Sequence, residues 1–92
     1  MENNHNFKLI DGTFSTEDAE TVLTRLLNYK IDFHKREDFS NHIRFNQDLE
    51  HSKKRVDELT QTKLDLKEVV EYAKENNLKF VIKSIISVEL EK

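Results

Sequence analysis

The chain has 92 residues, of which 36% are hydrophobic and another 36% are charged, with a formal net charge of −3 and no cysteine. This length suits one domain, residues 1–92, with a modest core, and the lack of cysteine excludes disulfides and thiolate metal sites. The acidic balance argues against a dedicated nucleic-acid binder, and no stretch approaches the ~20 apolar residues of a membrane span. We therefore expect a cytoplasmic domain without a membrane partner.

The N-terminal region carries one short strand signal. Residues 1–6 are polar and are interpreted as a flexible tail, and residues 7–10 form an apolar strand candidate. Asp11 and Gly12 follow directly. Because Asp-Gly is a frequent turn pair, we interpret this dipeptide as a turn or bulge that links the strand to a helix, with a hairpin as the less favoured alternative.

The first helix begins after Ser15, whose hydroxyl can accept a hydrogen bond from an amide of the first turn. Apolar residues then follow helical spacing at Ala19, Val22, Leu23, Leu26 and Leu27. This pattern predicts a helix from Thr16 to about Asn28.

Residues 29–45 permit two interpretations. Tyr29, Ile31 and Phe33 alternate as in a strand, whereas Ile31 and His34 extend the helical stripe. We favour a continued or second short helix followed by a loop.

The second helix shows a heptad pattern from about Asp48 to Glu75. Leu64 and Val69 widen the apolar stripe, which indicates packing inside a globular core, and Asn76-Asn77 can end the helix in the left-handed conformation. The two heptad series are Leu49, Val56, Lys63 and Val70, and Leu59, Leu66 and Ala73.

The C-terminal segment, residues 78–91, has the period-two pattern of a half-buried strand. One face contains Leu78, Phe80, Ile82, Ile86, Val88 and Leu90, with Ser84 interrupting it. The order strand, helix, helix, strand predicts an α+β fold: a two-layer unit in which a helical hairpin with one long helix packs on a small antiparallel sheet formed by the N- and C-terminal strands.

Catalytic and metal-binding motifs are weak in this sequence. No serine lies in a nucleophile motif, and a single glycine cannot form a glycine-rich phosphate loop. His34, Asp38 and His42 are spaced by four, as zinc ligands on a helix can be, but a solvated polar face explains them more simply. We therefore expect no enzyme, no catalytic residue, no metal and no cofactor.

Recognition is expected in the central segment, where aromatic and basic residues are interleaved. Phe33, Arg36, Phe39 and Arg44 are the candidate partner-binding residues. An alternative is a nucleic-acid-associated regulator that uses the basic-aromatic segment 30–55, because aromatic side chains can stack on exposed bases.

Self-association is expected at the C-terminal strand. A strand of residues 78–91 would be longer than the N-terminal candidate, which would leave part of its edge unpaired beside Ile85, Ile86 and Val88. A twofold homodimer is the simplest closed assembly. We therefore expect a small non-catalytic interaction or regulatory domain that acts as a homo-oligomer, with an unidentified protein partner as a further possibility.

Overall fold

The computed structural model describes the backbone of residues 1–44 and 49–92, and the side chains of residues 1–36 and 53–92. Four elements follow one another: β1 (Asn4–Phe14), α1 (Thr16–Arg44), α2 (Leu49–Glu75) and β2 (Phe80–Glu89). The two strands form a two-stranded antiparallel sheet, and the two helices pack together as a hairpin. The predicted α+β fold, with a helical hairpin and a sheet made by the terminal strands, is confirmed.

β1 is longer than predicted at both ends. It begins at Asn4, inside the segment interpreted as a flexible tail, and ends at Phe14. The prediction of a turn or linking bulge at Asp11-Gly12 is wrong: Asp11 pairs with Lys83 and Gly12 with Ile82, and Gly12 does not have a positive φ. The local turn preference of Asp-Gly is overridden because β2 offers a ladder along the whole of β1.

α1 continues without interruption through most of the ambiguous segment. It begins as predicted, with the Asp18 amide donating to Ser15 Oγ at 3.1 Å, and reaches Arg44. Ile31 and His34 are both buried, so the helical stripe determines the conformation here. The strand alternative for Tyr29, Ile31 and Phe33 is thereby excluded, and Phe45 lies outside the described residues.

The core lies between the two helices. Both predicted heptad series contribute to it: Leu59, Val70 and Ala73 are buried, while Val56, Lys63 and Leu66 are half-buried. Lys63, the polar member of the seam, donates from Nζ to Asn28 Oδ1 on α1 at 2.6 Å.

Two residues of α2 do not join this core. Leu64 and Val69 are more than half exposed, so the prediction that they widen the buried stripe is wrong. The other helix of the hairpin covers only the heptad seam, and no other described element lies over the flanks where these two side chains are placed.

α2 ends in a tight connection to β2. Asn77 has φ 54°, the left-handed conformation predicted for this position. The Leu78 amide donates to Ala73 O at 2.9 Å and the Asn77 amide to Lys74 O at 3.4 Å. These two bonds form a Schellman motif, which satisfies carbonyls that would otherwise be unpaired at the helix end.

β2 pairs with β1 along its full length, from Phe80 opposite Phe14 to Glu89 opposite Asn4. The expected overhang of a long C-terminal strand beyond a short N-terminal one is therefore wrong, because the strands match in length. Ser84, which interrupts the predicted apolar face, lies in the continuous strand opposite Ile10.

Contact between the sheet and the hairpin is confined to one end of the sheet. Ile82 is buried and Phe14 and Phe80 are half-buried, whereas Phe7 and Ile86 at the other end are exposed. Among the described residues, few strand positions approach α1 and none approaches α2 closely. The sheet is therefore a ribbon that extends from the base of the hairpin.

Candidate interaction surface

The sequence of β1 explains how the ribbon keeps one apolar face. Ile10, Gly12 and Phe14 are even-numbered, so they share one face of a regular strand. Phe7 is odd-numbered and would lie on the opposite face. The register shifts between Lys8 and Ile10, which leaves Leu9 as the extra residue of a β-bulge. The bulge therefore returns Phe7 to the face that carries the other apolar residues.

We call the part of this face beyond the bulge the distal ribbon face. It consists of two directly opposed pairs, Phe7 with Ile86 and His5 with Val88. The His5 and Phe7 rings are stacked, with centroids 6.2 Å apart. Phe7 is 56% exposed and Ile86 44% exposed, so apolar area of the kind that normally forms a core lies open to solvent here.

The sequence prediction named Ile85, Ile86 and Val88 for this region but missed Phe7. Ile86 and Val88 lie in the distal ribbon face, whereas Ile85 pairs with Lys8 on the opposite face and is exposed. The change of apolar phase between Phe7 and Ile10 was the available signal. Interpreting Asp11-Gly12 as the end of the strand hides this signal, because it separates Phe7 from Ile10 and Phe14.

The outer edge of β2, which faces away from β1, has an uninterrupted row of backbone amides and carbonyls, whereas the outer edge of β1 does not. The Leu90 amide, just after β2, donates to Asn3 O, just before β1, at 2.7 Å. Because the backbone groups of successive residues in a strand point to opposite sides, those of even-numbered residues face β1 and those of odd-numbered residues, such as Ile85 and Ser87, face away from it. On β1, the bulge at Leu9 disrupts the corresponding row.

The whole molecule is unusually open for its size. Its accessible surface is 7867 Å², whereas a folded monomer of 11.0 kDa exposes about 5,600 Å². The radius of gyration is 16.6 Å, against ~12 Å for a compact chain of this length. The excess is roughly 2,000 Å², and exposed apolar side chains of the ribbon, such as Phe7, and of the helices, such as Leu64, contribute to it.

A second exposed site lies on α1, at two of the predicted partner-binding residues. Phe33 and Arg36 line a shallow pocket of about 120 Å³ together with Tyr29 and Asp32. Lys30 Nζ lies 4.9 Å from the centre of the Phe33 ring, a cation–π contact. The Phe33 ring therefore lies beside basic groups and beside the carboxylate of Asp32.

The other two predicted partner-binding residues cannot be located in this site. The side chains of Phe39 and Arg44 lie outside the described residues, as does most of the basic-aromatic segment between 37 and 52. Of the basic residues that the alternative function needs, Lys30, Lys35 and Arg36 are exposed on α1, and Lys53, Lys54 and Arg55 are exposed on α2. Arg55 forms an ion pair with Glu58 at 2.9 Å.

The larger pocket at the base of the hairpin has a structural explanation. It measures about 360 Å³ and lies where the start of α1 meets the end of α2. Its two hydroxyls are already engaged: Ser15 Oγ caps α1, and Thr16 Oγ1 donates to Leu78 O at 2.9 Å. Lys74 reaches towards Glu20 across the same junction, at 3.9 Å. The contacts of Thr16 and Lys74 hold the start of α1 against the end of α2 and the α2–β2 connection.

The described side chains do not form a metal site. Among the side chains of residues 1–36 and 53–92, no three histidine or carboxylate groups converge. His34 is buried and touches the Phe33 ring edge to face, with centroids 5.8 Å apart. Asp38 and His42, its predicted companions, lie outside the described side chains. The expected absence of a metal stays a prediction.

Neither described helix is apolar enough along its length to cross a membrane. Comparison with known proteins finds no matching family model and no significantly similar curated protein or solved structure. The two exposed surfaces, on the ribbon and on α1, are therefore what the inference of function rests on.

Proposed function

We propose that this protein is a small non-catalytic interaction domain that acts as a homo-oligomer, with the ribbon as its main contact surface. The observation that carries the proposal is the open shape. A chain of 92 residues exposes 7867 Å², about 40% more than a compact monomer of its mass.

The ribbon supports this proposal on energetic grounds. A two-stranded sheet is marginal by itself in water and needs a third strand or a covering element. Here the hairpin covers only the end near Ile82, and the distal ribbon face carries Phe7 and Ile86 without cover from the described part of the chain. Association with another chain would supply the missing burial.

The junction pocket argues in the same direction. Its hydroxyls serve as a helix cap and as a donor to the backbone of the α2–β2 connection, which are structural tasks. The side chains that line it contain no histidine that could act as a base for Ser15 or Thr16. An interaction role therefore accounts for the molecule with fewer assumptions than catalysis does.

The test is sedimentation of the purified full chain over a range of concentrations. We expect the mass of two chains at high micromolar concentration and dissociation on dilution. A chain that remains monomeric over the whole range would overturn the proposal.

A further inference from the structure

The geometry points to a specific dimer, in which β2 pairs antiparallel with β2 of a second copy about a twofold axis beside Ile86. This inference rests on the proposed function and adds the edge, the register and the residues in contact. The product would be one four-stranded sheet in the order β1, β2, β2 of the partner, β1 of the partner.

The choice of β2 follows from the two edges of the ribbon. A bulge bends and twists the strand that contains it and breaks the row of hydrogen-bonding groups, which protects an edge from further pairing. That bulge lies in β1, at Leu9. β2 has no register shift of its own, and the amides of its odd-numbered residues point outward, as the bond from Leu90 to Asn3 indicates.

The register follows from symmetry and charge. A twofold axis perpendicular to the sheet keeps each residue on its own face, so opposed residues must have numbers of equal parity. β2 contains two charged residues, Lys83 and Glu89. They oppose each other across the new pairing only when Ile86 faces Ile86 of the other copy, which gives two symmetric ion pairs. A shift that centres the pairing on Ile85 would place Glu89 opposite Val81 instead.

The same register joins the apolar faces of the two ribbons. Ile82 would oppose Leu90 of the second copy, and the two Ile86 side chains would meet at the axis, so that the distal ribbon faces become continuous. A standard interface buries about 800 Å² from each partner. The surplus surface of this chain, roughly 2,000 Å², is large enough to supply that area.

Cysteine substitution tests the register directly, because the chain has no cysteine of its own. In the Ile86→Cys variant the two thiols would be directly opposed across the axis, within disulfide reach. In the Ile85→Cys variant the two Cα atoms would be more than about 7 Å apart, beyond that reach. Mild oxidation should therefore link the first variant into dimers and leave the second largely unlinked.

A charge exchange provides the independent measurement. Lys83→Glu and Glu89→Lys should each weaken self-association about tenfold, because like charges then oppose each other twice. Mixed in equal amounts, the two variants should form a heterodimer in which both opposed pairs again combine opposite charges, one in the native arrangement and one reversed. Lys79→Glu and Glu91→Lys, which lie outside β2, form the matched control pair and should show no such complementation.

The outcomes separate the two proposals. Linking of Ile85→Cys in place of Ile86→Cys would overturn the register. A wild-type dimer that shows neither linking nor charge complementation would overturn the use of the β2 edge while leaving self-association intact. A monomeric wild-type chain would overturn the proposed function and the dimer with it.

Discussion

The helical hairpin and the strand ribbon each have an apolar face that repeats with the period of its own element, yet the described part of the chain buries the seam of the hairpin and leaves the distal ribbon face exposed. On α2, Val70 is 1% exposed because the seam of α1 lies against it. On β2, Ile86 belongs to an equally regular apolar face and remains 44% exposed. The period of a pattern therefore identifies which face is apolar, but what covers that face depends on which element lies opposite.

The largest expected effect breaks the hairpin. Val70→Asp would bury a carboxylate in the seam and should cost more than about 4 kcal/mol in the free energy of unfolding, enough to unfold a domain of this size. Val69→Asp, the neighbouring position that is 53% exposed, should cost less than about 1 kcal/mol. Urea denaturation followed by far-UV circular dichroism compares the two, and equal losses would contradict the placement of the core.

A smaller loss of stability is expected at the ribbon. Two neighbouring substitutions there compare the face that is buried near Ile82 with the opposite, exposed face. Ile82→Thr puts a hydroxyl at a buried position, 9% exposed, and should lower the free energy of unfolding by about 2 kcal/mol. Val81→Thr keeps the β-branched shape at a position that is 70% exposed and should change it by less than about 0.5 kcal/mol. Both are measured in the same denaturation assay, at a concentration low enough to keep the chain monomeric. A larger cost at Val81 would mean that the other face of the ribbon is the covered one.

The sequence was sufficient to predict the elements whose conformation depends on residues that lie near each other in the chain. The heptad spacing of Leu59, Leu66 and Ala73 located α2 to within one residue at its start, and Ser15 located the start of α1. These signals are reliable because capping and helical packing depend on residues only a few positions apart.

Features that depend on distant residues were predicted less well. Asp11-Gly12 has the composition of a turn, and only the pairing with Ile82 and Lys83, about 70 positions later, holds it in a strand. Likewise, the exposure of Val69 follows from the absence of any described element over that flank of α2. For the candidate site, Ile86 and Val88 could be predicted from the period of β2, whereas Phe7 required the bulge to be recognised.

The smallest expected effect concerns Asn77, which lies in the connection between α2 of the hairpin and β2 of the ribbon. Asn77 holds a left-handed φ of 54°, and the Schellman bonds from Asn77 and Leu78 depend on it. Alanine has the same Cβ contact with the backbone as asparagine but lacks the short polar side chain that makes the left-handed conformation accessible, so Asn77→Ala should cost about 1 kcal/mol. Asn77→Gly, which relieves that contact, should remain within about 0.5 kcal/mol of the wild-type chain. If alanine and glycine gave the same stability in thermal and urea denaturation, the left-handed turn would not be what sets the direction of the ribbon.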